Sequence, residues 1–395
     1  MDIAVTGIGA VSAAGKDATS FKRALRRPES RFGPSTRHSL GFEITVAEAA
    51  DEWFASHPHG KLDSPTGRLC LSAARECVAH AAASGAGAPD GLSLGTSTGG
   101  QSENERAVFG LLEGRSAGDF SYRLQGCMAS PSRLVSTDVG IRGPVRTVST
   151  ACTSSANAVV LGATWIASGK CRRVLAGGGD ALCYTTLSSF HMLELTGPLP
   201  CRPFAENRPG LTLGDGAGFL MLESLDTVLS EGRKPIAILQ GFGMSSDAYH
   251  MTAPPQDGAG AALALRRALA NANLTPDDIS YVNAHGTGTR LNDAAEAIAV
   301  SEVLGDVPIM SCKGLTGHTL GGAGALEAVA TVLSLADGHA FENAANSEAA
   351  EDCPVRLIGP GGLDIDPEKT VLSTSFAFGG NNCVLAFSAY RGGAR

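Results

Sequence analysis

One cysteine and two histidines in this 395-residue chain sit where covalent chemistry would need them. Cys152 lies among small residues in Val148-Ser149-Thr150-Ala151-Cys152-Thr153-Ser154-Ser155, just ahead of Ala156 to Ile166 (ANAVVLGATWI), a run apolar almost all the way round. That run reads as a buried helix with Cys152 in its first turn. A helix N-terminus carries partial positive charge and unpaired N–H groups, so it favours a thiolate and donates to an oxyanion formed beside it. A lone cysteine is more often a small, inert core residue. Two histidines in Gly/Thr-rich turns weigh against that here: His285 in Asn283-Ala284-His285-Gly286-Thr287-Gly288-Thr289, and His318 in Lys313-Gly314-Leu315-Thr316-Gly317-His318. Taken singly, each histidine is equally well explained as a hydrogen-bonded turn residue.

These residues need elements to hold them. Ile279 to Ala284 reads as a strand, which puts His285 at its end, where open α/β sheets carry functional groups. Gly321 to Ala330 reads as a tightly packed helix with Glu327 on an otherwise apolar surface; a buried carboxylate needs a counter-charge, and Lys313 is the nearest candidate. Ser375 to Cys383 is a glycine turn between strands at Val371–Ser373 and Val384–Phe387. Its adjacent Gly379 and Gly380 let the backbone approach a ligand and aim N–H groups at it, although a plain hairpin turn accounts for them equally well. Arg173 to Ala181 reads as a buried strand, Arg68 to Ala83 as a helix exposing Arg68, Arg75 and Glu76, and Phe219 to Leu222 as a strand entered from a glycine turn. Beyond the polar connector at Glu231 to Pro235 the chain begins again: Gly7, Gly9 and Ser12 are answered at one constant offset by Gly241, Gly243 and Ser246. This predicts two similar halves, 1–233 carrying Cys152 and 234–395 carrying His285 and His318.

As a set, these residues suit thioester chemistry. Cys152 would take an acyl group as a thioester, exchanging thiol for thiol. Two neutral histidines would donate to the carbonyl oxygen of a second thioester, whose negative charge grows as an enolate forms. The set contains no carboxylate base, which suits a carbanion made by losing CO2 better than one made by removing a proton. Other readings fit less well. Ile3 to Ser12 resembles a dinucleotide turn, but Ser12 replaces the third glycine and the segment that should supply an acidic residue is basic. Gly91 to Gly95 matches G-x-S-x-G without the strand-turn-helix context, and reads as a strand running into a turn. His191, His250 and Lys234 have no comparable setting, although the His250 loop would shape the site.

Composition narrows the field. With 43% hydrophobic and 18% charged residues and 50 glycines, the chain is globular and rich in turns. A net charge of −8 argues against bulk binding to nucleic acid or anionic membranes. No apolar run is long enough to span a membrane, and the N-terminus reads as a strand without a leader. The ten cysteines form no CxxC framework, as expected for reduced thiols in a cytosol.

In four blocks, TACTSS at 150–155, NAHGTGT at 283–289, KGLTGH at 313–318 and FAFGGNN at 376–382, the chain resembles the β-ketoacyl-acyl carrier protein synthases. These are decarboxylating condensing enzymes of the thiolase superfamily. DAYHMTAPP at 247–255 and LGDGAG at 213–218 match further stretches, so the resemblance spans essentially the whole sequence. It implies an α/β fold of five layers, αβαβα, built from two similar halves, and usually a homodimer, with a heterodimer containing a chain-length partner as the alternative. The implied substrates arrive on acyl carrier protein through its phosphopantetheine arm, with no metal and no cofactor of the enzyme's own. Residue by residue, the resemblance makes Cys152 the acylated nucleophile and His285 and His318 the pair that supports decarboxylation. Lys313 and Glu327 become a charged pair ordering the site, and Thr287 and Thr289 contacts for the arm. The N–H groups of Cys152 and Phe378 form the oxyanion hole, with the Phe378-Gly379-Gly380 loop as a gate.

Ala377, Gly314 and Asn381 depart from the commoner glycine, serine and threonine. Separately, Phe120 to Arg133, near where the family shapes its acyl pocket, does not follow the housekeeping elongation pattern, and together with CRPFAENRPGLTLGDGAG it points to a specialised synthase, as in aryl-polyene or type II polyketide pathways. A thiolase would need a second cysteine, for which Cys383 is out of context, and a non-catalytic chain-length partner would lack Cys152. Arg202 and Arg208 are the candidates for a basic rim facing the acidic carrier.

Overall fold

A computed structural model describes residues 2–55, 64–114 and 127–392 of the chain. Its first half contributes β1 (Ile3–Ser12), β2 (Gly91–Gly95), β3 (Val145–Val148), β4 (Arg173–Asp180) and β5 (Gly216–Ser224), lying side by side as β3-β2-β4-β5-β1. The second contributes β6 (Ala237–Ser246), β7 (Ile279–Asn283), β8 (Pro308–Met310), β9 (Thr370–Ala377) and β10 (Asn381–Ser388), in the order β8-β7-β9-β10-β6. Counted from the start of each half, the two orders are identical. Strand directions repeat as well: β2 is parallel to β3 and β4, as β7 is to β8 and β9, while β5 and β10 run antiparallel to both their neighbours within the half. The sheets join where Ile3 lies opposite Leu239 and Val5 opposite Ala237.

Helices complete the layers. α1 (Pro65–Ala83) covers the outer face of the first sheet; α3 (Ala259–Ala272), backed by α4 (Arg290–Leu304), covers that of the second. Between the sheets, α2 (Ser154–Ala167) packs on α5 (Ala323–Asp337). The result is five layers, αβαβα, with separate apolar clusters under each outer layer and a larger one in the centre. Side chains alternate across a strand, so β4 sends Leu175 to the outer cluster and Val174 and Ala176 to the central one. Its residues must therefore be apolar or small on both faces.

The repeated glycines follow from this packing. β1 and β6 are ten residues each and aligned at the offset the sequence suggested. A Cβ on Gly9 would strike the α1 backbone at Ala73 and Cys77, and one on Gly243 the α3 backbone at Ala264 and Ala268. In both halves the outer helix therefore lies directly on the strand. Of the three residues expected in solvent on this helix only Arg75 is exposed: Arg68 is half-buried and donates to the Ala55 carbonyl at 2.9 Å, and half-buried Glu76 accepts the N–H groups of Ala10 and Ala18, each at 2.8 Å, fastening α1 to the end of β1. The expectation that no apolar run reaches membrane-spanning length is also corrected: among the described residues the helical stretch Leu320–Asp337 is long and apolar enough, but 89% of it is buried in the middle of the molecule, as in a core helix.

Candidate active site

Cys152 stands one residue ahead of the N-cap of α2, Thr153, rather than in its first turn. Ala151 beside it has φ 53°, a left-handed conformation that costs a non-glycine residue energy. The kink is held by its neighbours. Ser154 Oγ accepts from the Thr150 N–H at 2.9 Å and donates to the Ala151 carbonyl at 2.6 Å, which also accepts from Ser97 Oγ at 2.9 Å. The bend exposes the sulfur to the cavity while the side chain stays 7% accessible. Burial pushes the Cys152 thiol up to about 11, against the pull of the Lys313 charge and of the Phe378 N–H directed at it. Desolvation thus outweighs the expected preference for a thiolate, and the resting residue is a thiol.

β7 ends at Asn283, and the next turn delivers His285; His318 follows the short helix Lys313–Thr316. The two rings meet edge to face with centroids 5.2 Å apart, and both line, with Cys152 and Phe378, one cavity of about 350 Å³. Lys313 Nζ donates to His285 Nδ1 at 3.1 Å and to the His285 carbonyl, while the Leu320 N–H donates to His318 Nδ1 at 3.1 Å. Both Nδ1 atoms therefore act as acceptors, which leaves the proton of each neutral ring on Nε2. Burial first, and the Lys313 charge second, hold both imidazoles well below their ordinary pKa, so they are neutral at pH 7.

Lys313 and Glu327 form an ion pair, each side chain at most 2% exposed. Burial draws Lys313 down, but the Glu327 charge and hydrogen bond, with Cys312 and Glu296, together more than reverse this; burial raises Glu327, and Lys313 offsets only part of the rise. The net charge of the pair is zero, which a buried site tolerates, and Lys313 is fixed against His285.

The hairpin between β9 and β10 turns at Phe378-Gly379-Gly380, with φ 81° and 73° at the two glycines. Their N–H groups are already bonded, Gly379 to the Met251 carbonyl at 2.8 Å and Gly380 to that of Ala377 at 3.0 Å. Of the three, only the Phe378 N–H is directed at the Cys152 sulfur; the glycines shape the turn instead. The Phe378 ring stacks on Phe190, centroids 5.6 Å apart. Asn381 Oδ1 accepts from Thr153 Oγ1 and Asn157 Nδ2, both at 2.8 Å, and ties the turn to α2. Thr287 and Thr289 line the cavity with their hydroxyls 2.8 Å apart.

The sequence reading missed three buried carboxylates. Glu296 accepts from the His285 and Gly286 N–H groups at 2.8 Å each, and burial pushes it up to about 7. Asp293 accepts from the Thr287 N–H at 2.8 Å, and Asp180 receives the N–H groups of Ser97, Thr98 and Gly321 at 2.7–2.9 Å. All three anchor loop backbone. The signal for the first two was their spacing, since i and i+3 on α4 share a face; Asp180 gave none.

Residues 1–227 match the Beta-ketoacyl synthase N-terminal domain and residues 236–345 the C-terminal domain. The chain belongs to the β-ketoacyl synthase family. It is 33% identical to Nodulation protein E of Rhizobium meliloti (strain 1021) over 407 aligned positions, with 98% of each chain covered. To 3-oxoacyl-[acyl-carrier-protein] synthase 2 of Synechocystis sp. (strain ATCC 27184 / PCC 6803 / Kazusa) it is 30% identical, again with 98% of each covered. It superposes on the ishigamide ketosynthase/chain length factor with a TM-score of 0.91 at 30% identity, covering 99% of each chain. As a β-ketoacyl synthase it is a condensing enzyme of the acyltransferase class with the thiolase-like fold.

Two residues of this β-ketoacyl synthase, Gly314 and Arg208, now have physical readings. At Gly314 a serine Cβ would lie 2.8 Å from that of Ala345, so glycine lets the Lys313 helix close on its neighbour. Arg208 is no docking residue: its guanidinium is buried, bonded to Asp352 at 2.6 Å and to Cys353 Sγ at 2.7 Å. Arg202 is exposed. Of the Phe120 to Arg133 segment, residues 120–126 lie outside the described residues.

Proposed function

We propose that Cys152 is the nucleophile and His285 and His318 the carbonyl-binding pair of a decarboxylative condensation between an acyl group and malonate, both carried on acyl carrier protein. The observation that carries this is the hydrogen bonding at the two Nδ1 atoms, which leaves two neutral Nε2–H donors in the cavity that Cys152 lines.

In the first half-reaction the Cys152 sulfur attacks the acyl thioester carbonyl, the bond to the carrier's sulfur breaks, and that sulfur leaves with the proton. The N–H groups of Cys152 and Phe378 hold the transient oxyanion. In the second, the malonyl thioester binds with its carbonyl oxygen between the two imidazoles. The bond to the carboxylate breaks, CO2 leaves, and the electron pair moves into an enolate stabilised by the Nε2–H donors. The enolate carbon then attacks the Cys152 acyl carbon and expels the sulfur, giving a 3-oxoacyl thioester on the carrier. Lys313 and Glu327 hold His285 in the donating tautomer, and Thr287 and Thr289 hold the pantetheine arm. The acyl groups travel on the carrier's own arm, so the chemistry requires no further cofactor.

The division at 233/234 belongs to this reading, as does a homodimer, or a heterodimer of the kind named for the ishigamide ketosynthase/chain length factor. The sequence of Phe120 to Arg133, together with CRPFAENRPGLTLGDGAG at 201–218, favours a specialised polyketide or aryl-polyene pathway over housekeeping elongation. The test is Cys152→Ala: intact-protein mass spectrometry should show the acyl adduct lost, and an adduct that persists moves the nucleophile elsewhere.

A further inference from the structure

The segment from His285 to Leu291 lines the cavity at His285, Thr287, Thr289, Arg290 and Leu291. Exposure rises along it: His285 is 2% accessible, Thr287 5%, Thr289 half-buried, Arg290 exposed and Leu291 57% accessible. It therefore runs from the floor of the cavity to its rim. A phosphopantetheine arm has a matching order of groups, with a thioester sulfur at one end, two amides along its length and a phosphodiester at the other.

Resting on the condensation reading above, we propose that Arg290 binds the phosphodiester of the incoming arm and so selects phosphorylated over phosphate-free thioesters. Of the lysine and arginine side chains lining the cavity, Arg208 is committed to Asp352 and Cys353. Arg290 has no hydrogen-bond or ion-pair partner among the described residues, so its guanidinium is open to a ligand at the rim. An arginine fork matches two phosphate oxygens, and being exposed it reaches a group that must stay attached to the carrier outside. Asp247, also in the lining, is bonded to Asn382 Nδ2 at 2.6 Å. Glu194 is the remaining exposed charge in the lining, carried by the segment that supplies Phe190 and Leu195.

The experiment compares malonyl-phosphopantetheine with malonyl-pantetheine as CO2 donors to the full-length protein acylated at Cys152. The readout is the ratio of their kcat/KM values, and the ratio of their Ki values against malonyl carrier protein serves if turnover of either is slow. Wild type should prefer the phosphorylated compound, and Arg290→Ala should lower the ratio roughly five- to tenfold at low salt. Arg290→Lys should keep part of the preference, and 0.5 M salt should shrink it in wild type. A wild-type ratio near one, or the same ratio in Arg290→Ala as in wild type, overturns the assignment, and a general loss of fit or stability would leave that ratio unmoved. Wild-type protein that releases no CO2 from malonyl carrier protein would instead sink the condensation reading, and this inference with it.

Discussion

Lys313→Met tests the electrostatic core of the site. The substitution removes the counter-charge of Glu327 and the donor to both His285 Nδ1 and the His285 carbonyl. A buried carboxylate left without its partner costs about 3–5 kcal/mol, read as a fall on the order of 1 M in urea midpoint. Burial already holds Glu327 above the usual carboxylate range, so without Lys313 it takes up a proton more readily. A carboxyl raised in the folded state destabilises fully above its folded pKa and ceases to do so as pH falls toward its unfolded value. The deficit of the variant should therefore be largest above pH 7 and shrink toward pH 5. Adding Glu327→Leu removes the stranded charge, and the double variant should lose only about 1–3 kcal/mol, the cost of the unpaired His285 carbonyl. The kinetic consequence is separate. Losing a charge-assisted bond worth about 1.5–3 kcal/mol frees the His285 tautomer and slows CO2 release from malonyl carrier protein roughly ten- to 150-fold. Acyl loading should fall less, through the lost attraction between Lys313 and the Cys152 thiolate. Stability losses that simply add in the double variant, or CO2 release at the wild-type rate in Lys313→Met, would refute the reasoning.

Two further outcomes follow from the same geometry. His318→Ala should spare acyl loading of Cys152 more than CO2 release, because its Nε2–H is assigned to the malonyl carbonyl; equal loss of both, measured by mass spectrometry and CO2 capture, contradicts that division. With the Cys152 thiol raised to about 11, its alkylation by iodoacetamide should quicken about tenfold per pH unit from neutrality upward, and a rate already level near pH 7 would mean that the thiolate is the resting form.

Individual strands, the repeat and the residue types of the site were legible because they are local or periodic. Leu175 between Val174 and Ala176 marks a strand buried on both faces, and Gly7-x-Gly9 and Gly241-x-Gly243 mark two strands against which helices lie flush. Glu327 stood out because an acidic residue interrupts an apolar helix. Asp180 passed unnoticed, since the N–H groups it anchors are distant along the chain and no local pattern announces it, whereas Asp293 and Glu296 carried a signal only in their shared helix face.

The sequence by itself determined which groups are present: one cysteine before a buried helix, two histidines in turns, and a lysine and glutamate that need each other. Only the tertiary structure decided their states. Burial made Cys152 a thiol where helix position alone favours a thiolate, and Lys313 and the Leu320 N–H chose the histidine tautomers. It also placed Arg208 inside the fold, away from any partner's reach. Residue type sets what a group is able to do, whereas its charge and direction depend on desolvation and on hydrogen-bond partners that folding brings from elsewhere in the chain.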